Sequence, residues 1–419
     1  MSVTKNVRVG TLAVAATVFA VACSGSSGST ATVPSVSPGN ALALPSSSRA
    51  LLAAGFSHSL APDSSGRLQA WGDNASGQLG DGGTTMRPRP VPVARAAGSA
   101  KFVSVAAGST HSLALAADGS VWAWGHNKSG QLGDGSKTDR STPRRVRAIQ
   151  GARAVAAGSG FSLALEADGS VWAWGNNASG QLGDGNAPID HASPAQVYGL
   201  GPGSTVTAIA AGTSFGLVLK RDGTVLGWGN GVSGQLGDGS TTKRSAPTPV
   251  VGLGSNSSVV QIAGGGSFAM ALKRDGSVWS WGNNASGQLG DGTAPVDHRA
   301  PVPVERLGAG SGVVQIGAGN SYEMALKSDG TIVAWGNNKS GQLGDGTAPT
   351  DHHTPVPVKG LDRTNPVIAI SAGGSHCLAL ERDGTVLAWG NNSHGQLGDG
   401  MVPTDQPVPV VAIIPGSAQ

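Results

Sequence analysis

Val278-Trp279-Ser280-Trp281-Gly282-Asn283-Asn284-Ala285-Ser286-Gly287-Gln288-Leu289-Gly290-Asp291-Gly292 is one of seven near-copies of a single string in this chain. Its tryptophan-glycine step recurs at Trp71, Trp124, Trp174, Trp228, Trp281, Trp335 and Trp389, spaced by 53, 50, 54, 53, 54 and 54 residues. So steady a period marks one supersecondary unit repeated in tandem. Upstream of Trp281 lie the β-branched run Val259 to Ile262, Ala263-Gly264-Gly265-Gly266, the apolar run Phe268 to Leu272 and a turn at Asp275-Gly276. Downstream, Pro301-Val302-Pro303-Val304 closes the unit. These are four short strands, and no window has a helical period.

Asp-Gly supplies the positive φ that a two-residue hairpin turn needs. It joins the second and third strands at Asp118, Asp168, Asp222, Asp275, Asp329 and Asp383; the first unit has Asp63-Ser64-Ser65-Gly66 instead. The Pro-x-Pro-Val strand belongs at a sheet edge, because proline cannot donate to a ladder. A lone four-stranded sheet leaves both faces wet, whereas seven in a circle cover one another. All ten tryptophans fall in third strands, where each ring is expected to bury roughly 150–250 Å² between sheets. The expected fold is all-β, a seven-bladed β-propeller of four-stranded antiparallel blades. Ring closure has two open forms: Ala41 to Leu44 pairing with the last blade, or Val408 to Ile414 completing the first.

Ala107-Gly108-Ser109-Thr110-His111-Ser112-Leu113-Ala114-Leu115, followed by Trp-Gly-x-Asn-x-x-Gly-Gln-Leu-Gly, resembles the regulator of chromosome condensation repeat family. The histidine position of that pattern holds His58, His111, Phe161, Phe215, Phe268, Tyr322 and His376. The resemblance spans about residues 49–414 and implies the family's seven-bladed propeller. It also brings the family's best-known activity, guanine-nucleotide exchange on a small nuclear GTPase. No blade here carries a large insertion that would serve as a wedge, so exchange-factor-like activity stands as an alternative only. Secreted bacterial β-lactamase inhibitors share the fold and bind through aromatic loops. Here only Phe56, Phe102 and Tyr198 are aromatic outside the repeat positions, and Phe102 belongs to a first strand, so that target is not expected.

The first residues follow other rules. Lys5 and Arg8 precede an apolar stretch, Val9 to Val21, that is too short for a good membrane span and suits a secretory signal. It ends in Ala20-Val21-Ala22-Cys23, which resembles a bacterial lipobox, with Cys23 acylated (the palmitate-bearing position) and made the first residue. The expected organisation is a lipoprotein signal peptide at 1–22, a Ser/Gly/Pro-rich flexible tether at 23–48, the propeller at 49–414 and a tail at 415–419. The expected location is the cell envelope, lipid-anchored to the membrane, at the outer membrane if the cell has one, with Ser24 permitting onward sorting. Loss of residues 1–22 takes away Lys5 and Arg8, leaving 26 basic against 25 acidic residues. That balance argues against nucleic acid as a partner. With Cys23 acylated, Cys377 has no disulfide partner and reads as a buried, inert thiol.

The loops after Gly-Asp-Gly are the candidate binding residues: Asp190 and His191, Asp297 and His298, Asp351 and His352 (followed by His353), and Asp405. Histidine and carboxylate suit a divalent metal, but one such pair per blade puts the pairs far apart, and Asp in a turn bonds its own backbone. One Gly-Asp-Gly aspartate per blade also falls short of the six or more oxygens calcium takes. No metal and no cofactor are expected. Gly212-Thr213-Ser214-Phe215-Gly216 and Gly229-Asn230-Gly231-Val232-Ser233-Gly234 match a nucleophile elbow and a dinucleotide fingerprint as strings, yet neither opens a helix. Catalysis needs unlike residues in fixed roles, and no blade holds a unique set. The reading is a non-enzymatic, monomeric binding or scaffold propeller that presents its loops to a protein or an envelope polymer. The rival is a hydrolase or lyase at the central channel, which would need His58, His111 and His376 to converge there with acidic partners.

Overall fold

The computed structural model describes residues 51–94 and 100–415. They form twenty-eight strands in seven four-stranded antiparallel sheets, each built from four consecutive strands. Blade 1 contains β1 (Ala53–Ala54), β2 (His58–Pro62), β3 (Leu68–Gly72) and β4 (Arg87–Pro92), and the pattern repeats to β28 (Gln406–Val411). The fourth strands, each of which holds at least one proline, lie at a sheet edge in every blade, as the missing amide donors require. Among the described residues no helix is long and apolar enough to cross a membrane.

The sheets stand side by side in a ring. The seven repeat tryptophans are all fully buried, each between its own blade and the preceding one. Each also spends its indole N–H on that preceding blade. Trp124 Nε1 donates to the Gln78 carbonyl at 2.9 Å and Trp281 Nε1 to the Gln235 carbonyl at 3.0 Å. Trp71 closes the circle by donating to the Gln396 carbonyl at 2.8 Å. A buried indole N–H without a partner would cost about 1–3 kcal/mol, so the repeat pairs its largest ring with its own glutamine carbonyl.

The first and last blades meet by contact rather than by sharing a strand. The Ala54 amide donates to Ser371 Oγ at 2.9 Å, and the Gly374 amide to the Gly55 carbonyl at 3.0 Å. Val408 and Val411 lie in β28, which pairs with β27 (Val386–Gly390) of its own blade, so the C-terminal segment does not complete the first blade. Ala41 to Leu44, Cys23 and the proposed signal lie outside the described residues.

Candidate functional site: the loop-bearing face

The turns between strands one and two, and between three and four, emerge on one face of the ring. The other face carries the Asp-Gly hairpins and the connections between blades. On the first face the string Asn-x-x-Gly-Gln-Leu-Gly-Asp-Gly is consumed by its own folding. Asn284 Oδ1 accepts from the Leu289 amide at 3.0 Å while its Nδ2 donates to Asp291 at 3.2 Å. Gln288 Oε1 accepts from the Ser286 amide at 2.8 Å and its Nε2 donates to Asn283 at 2.6 Å. The second glycine of Gly-Gln-Leu-Gly must be glycine: Gly80 has φ +69°, and a Cβ there would stand 2.7 Å from Trp124 Nε1 of the next blade.

The Gly-Asp-Gly aspartate holds the start of the fourth strand. Arg87, Arg140 and Arg244 reach Asp81, Asp134 and Asp238 at 2.9, 2.9 and 2.8 Å. His191, His298 and His352 take the arginine's place against Asp184, Asp291 and Asp345 at 2.9, 2.9 and 2.8 Å. Partial burial works against the charge on Asp345, yet bonds from the Thr347 amide and hydroxyl and from Asn338, with His352 beside it, hold the carboxyl below its ordinary range. Asp190, Asp297, Asp351 and Asp405 each accept a backbone amide at 2.8 Å, from Asn177, Asn284, Asn338 and Asn392. The seven sequence-selected residues are thus local ties in blades 3, 5, 6 and 7. Among the described residues no group of three or more His, Cys, Asp or Glu is placed to hold a metal. Blade 7 is the exception: Gln406 stands where the other blades have arginine or histidine, and Asp399 Oδ2 is buried without a partner.

His58, His111 and His376 are fully buried and face the next blade rather than the channel. Their Nε2 atoms lie 3.0, 3.0 and 2.9 Å from Ser112, Ser162 and Ser59 Oγ. Each hydroxyl spends its proton on a glutamine carbonyl, Gln78, Gln131 or Gln396, so the imidazole donates from Nε2. Burial pushes the three rings down, His58 to about 4 and the other two to about 3, so they stay neutral at pH 7. Where the position is Phe215, the next blade offers Ala269; where it is Phe161, Gly216. Tyr322 instead meets Cys377, at 3.2 Å, and burial raises that thiol strongly.

The channel mouth on this face is a cavity of about 140 Å³ lined by Gly, Ala, Ser, Thr, Asn and Phe56. Glycine is needed there because a Cβ on Gly158 would lie 2.7 Å from the Gly212 carbonyl. What this face shows to solvent is apolar at scattered points: Phe56, Met86, Ile189, Val232, Val296 and Met401 are six of the ten large hydrophobic side chains exposed among the described residues. The search for aromatic anchors in the sequence found only the first. The usable signal was positional, since these residues sit where the copies differ from one another.

These features define a closed propeller whose blades are riveted by repeat residues and whose solvent-facing loop positions vary. A family model described as the RCC1-like domain matches residues 189–418, and models of the regulator of chromosome condensation (RCC1) repeat match 65–115 and 118–165. The chain belongs to the RCC1 repeat family. It is 35% identical over 351 residues to the ultraviolet-B receptor UVR8 of Arabidopsis thaliana, covering 84% of this chain and 78% of the receptor. It is 34% identical to the human E3 ubiquitin-protein ligase HERC2 over 84% of this chain but only 6% of the ligase. Human WBSCR16 superposes with a TM-score of 0.72 at 27% identity, covering 84% of this chain and 95% of that one. Yeast RCC1 (Prp20), solved with Kap60 bound, superposes with a TM-score of 0.72 at 24% identity, covering 91% of this chain and 89% of that one, and so shares the fold.

Proposed function

We propose that this chain is a non-enzymatic binding propeller held at the cell envelope by a lipid on Cys23, with its loop-bearing face as the docking surface for a protein. The observation that carries the reading is the set of exposed apolar side chains, Phe56, Ile189, Val296 and Met401 among them, standing on loops stiffened by recurring side-chain ties such as those of Asn284. Side chains held on a stiff scaffold lose little entropy when a partner covers them. The relatives fit this use of the fold, since yeast RCC1 was solved with a protein bound.

Two experiments test the two halves. Cross-linking and pull-down from native envelopes should recover a saturable partner with the wild-type chain. A variant carrying Phe56→Asp, Ile189→Asp and Val296→Asp should lose it while keeping its melting temperature. Equal capture by both proteins would refute the docking surface. Separately, Cys23→Ser should move the protein from the membrane fraction to the soluble fraction; unchanged membrane retention would refute the anchor alone.

A further inference from the structure

We infer that the opposite face carries a second docking site, a groove across blades 5, 6 and 7 that takes an acidic peptide segment with an apolar side chain between its carboxylates. The groove has a volume of about 530 Å³. Its floor includes Val260, Val314 and Ile368, the residues at which the first strands of these blades bulge against the second. A bulge turns its extra residue out of the ladder, and Val314 is 42% exposed as a result. Over this apolar floor stand Lys273, Arg274, Lys327 and Arg382, and no carboxylate lines the groove. Lys273 Nζ lies 4.2 Å above the Trp279 ring, and among the described residues none of the four cations has a carboxylate within 4.0 Å.

The cations are not a repeat feature, since at the positions of Lys273 and Arg274 they occur in blades 4 to 7 and are missing from blades 1 to 3. There blade 4 has Lys220 and Arg221, but blade 1 has Asp63 and Ser64, blade 2 has Ala116 and Ala117, and blade 3 has Glu166 and Ala167. The fold does not require cations there, so the charge is free to serve a ligand. The chain's own tether, residues 23–48, holds no Asp or Glu and does not complement the groove. A flat anionic bilayer fits less well, because it would also meet Asp275, Asp329 and Asp383 of the hairpin turns, whose carboxyls bonds from Ser277, Thr331 and Thr385 hold below the ordinary range. A narrow segment lying in the groove meets the cations first. Its apolar side chain would cover the valines while its carboxylates pair with guanidinium and ammonium groups at the rim.

The test uses the purified chain and a dye-labelled peptide, EELEDIEE, followed by fluorescence anisotropy. Saturable binding that weakens as salt rises is expected. The variant Arg274→Glu with Arg382→Glu should bind at least tenfold more weakly, with an unchanged melting temperature. A control reversal on the loop-bearing face, Lys243→Glu with Lys339→Glu, should bind as the wild type does. The apolar contact is read from EESEDSEE, which should bind at least threefold more weakly. Equal loss in the control variant, equal affinity for the two peptides, no saturable binding, or preference for phosphatidylglycerol vesicles over the peptide would each overturn the proposal. The loop-face triple variant should keep this binding, so the two sites fail separately.

Discussion

His58 Nε2 donates to Ser112 Oγ of the next blade across 3.0 Å, and that hydroxyl passes its own proton to the Gln78 carbonyl. Each of the three histidines has such a serine, and Phe215 has Ala269 in its place. Ser112→Ala should cost about 1–3 kcal/mol, because the imidazole N–H is left buried without an acceptor. His58→Phe with Ser112→Ala reproduces Phe215 with Ala269 and should recover at least about 1 kcal/mol of that loss. Denaturant unfolding of the four proteins of the cycle measures the coupling; additive losses would contradict it.

The buried histidines also set an acid limit. Their folded pKa values of about 4, 3 and 3 lie below the ordinary 6.5, so between those values the unfolded chain binds more protons than the folded one. Stability from this source is complete above about pH 6.5 and is lost as pH falls towards 4 and 3. A variant with His58, His111 and His376 changed to Phe, and Ser112, Ser162 and Ser59 to Ala, should have a melting temperature that drops less between pH 7 and pH 4.

Glu323 gives the opposite sign. It is fully buried, takes a bond from Ser280 Oγ at 2.9 Å through one oxygen and leaves the other unpartnered. Burial raises its carboxyl well above the ordinary range, so its contribution is complete below pH 4.5 and is lost as pH rises. Glu323→Gln should therefore stabilise more at pH 8 than at pH 4.5, by thermal melts at both values. An equal effect at both would show the carboxyl to be ordinary.

Two glycines separate backbone strain from packing. Gly80→Ala should cost about 2 kcal/mol or more, since strain at φ +69° adds to a Cβ 2.7 Å from Trp124 Nε1. Gly151 has φ +80° with nothing within 4 Å of a Cβ, so Gly151→Ala should cost only about 1–2 kcal/mol. Equal losses would mean that the tryptophan yields freely.

Blade 7 offers a gain. Gln406→Arg places a guanidinium where Arg87, Arg140 and Arg244 stand, opposite the unpartnered Asp399 Oδ2. The half-exposed pair should add about 0.5–1 kcal/mol, measured by denaturant midpoint at low salt. No gain would show that Asp399 is already satisfied by water.

The ring was legible because a Trp every fifty-odd residues, an Asp-Gly hairpin and an edge strand of prolines each name a place in a blade. The column of His, Phe and Tyr was legible too, but its partners, a serine for each His and Gly216, Ala269, Glu323 and Cys377 for the others, needed the register that sets position 58 against 112. Asp190, His191 and their counterparts stood out by recurring, and recurrence marked the ties of a loop rather than a ligand set. The exposed apolar residues of the loops and the cations of the far groove sit where the copies disagree, and disagreement carries no chemistry until the chain is folded.

Sequence by itself determined the number of blades, their strand order and the burial of the tryptophans, because periodicity and local propensity act within one repeat. Tertiary structure alone decided which carbonyl each indole meets, how the first and last blades join, and that Val314, Arg274 and Arg382 border one groove. Those relations run between blades about fifty residues or more apart, and only closure of the ring sets the distances across which their charges and surfaces act.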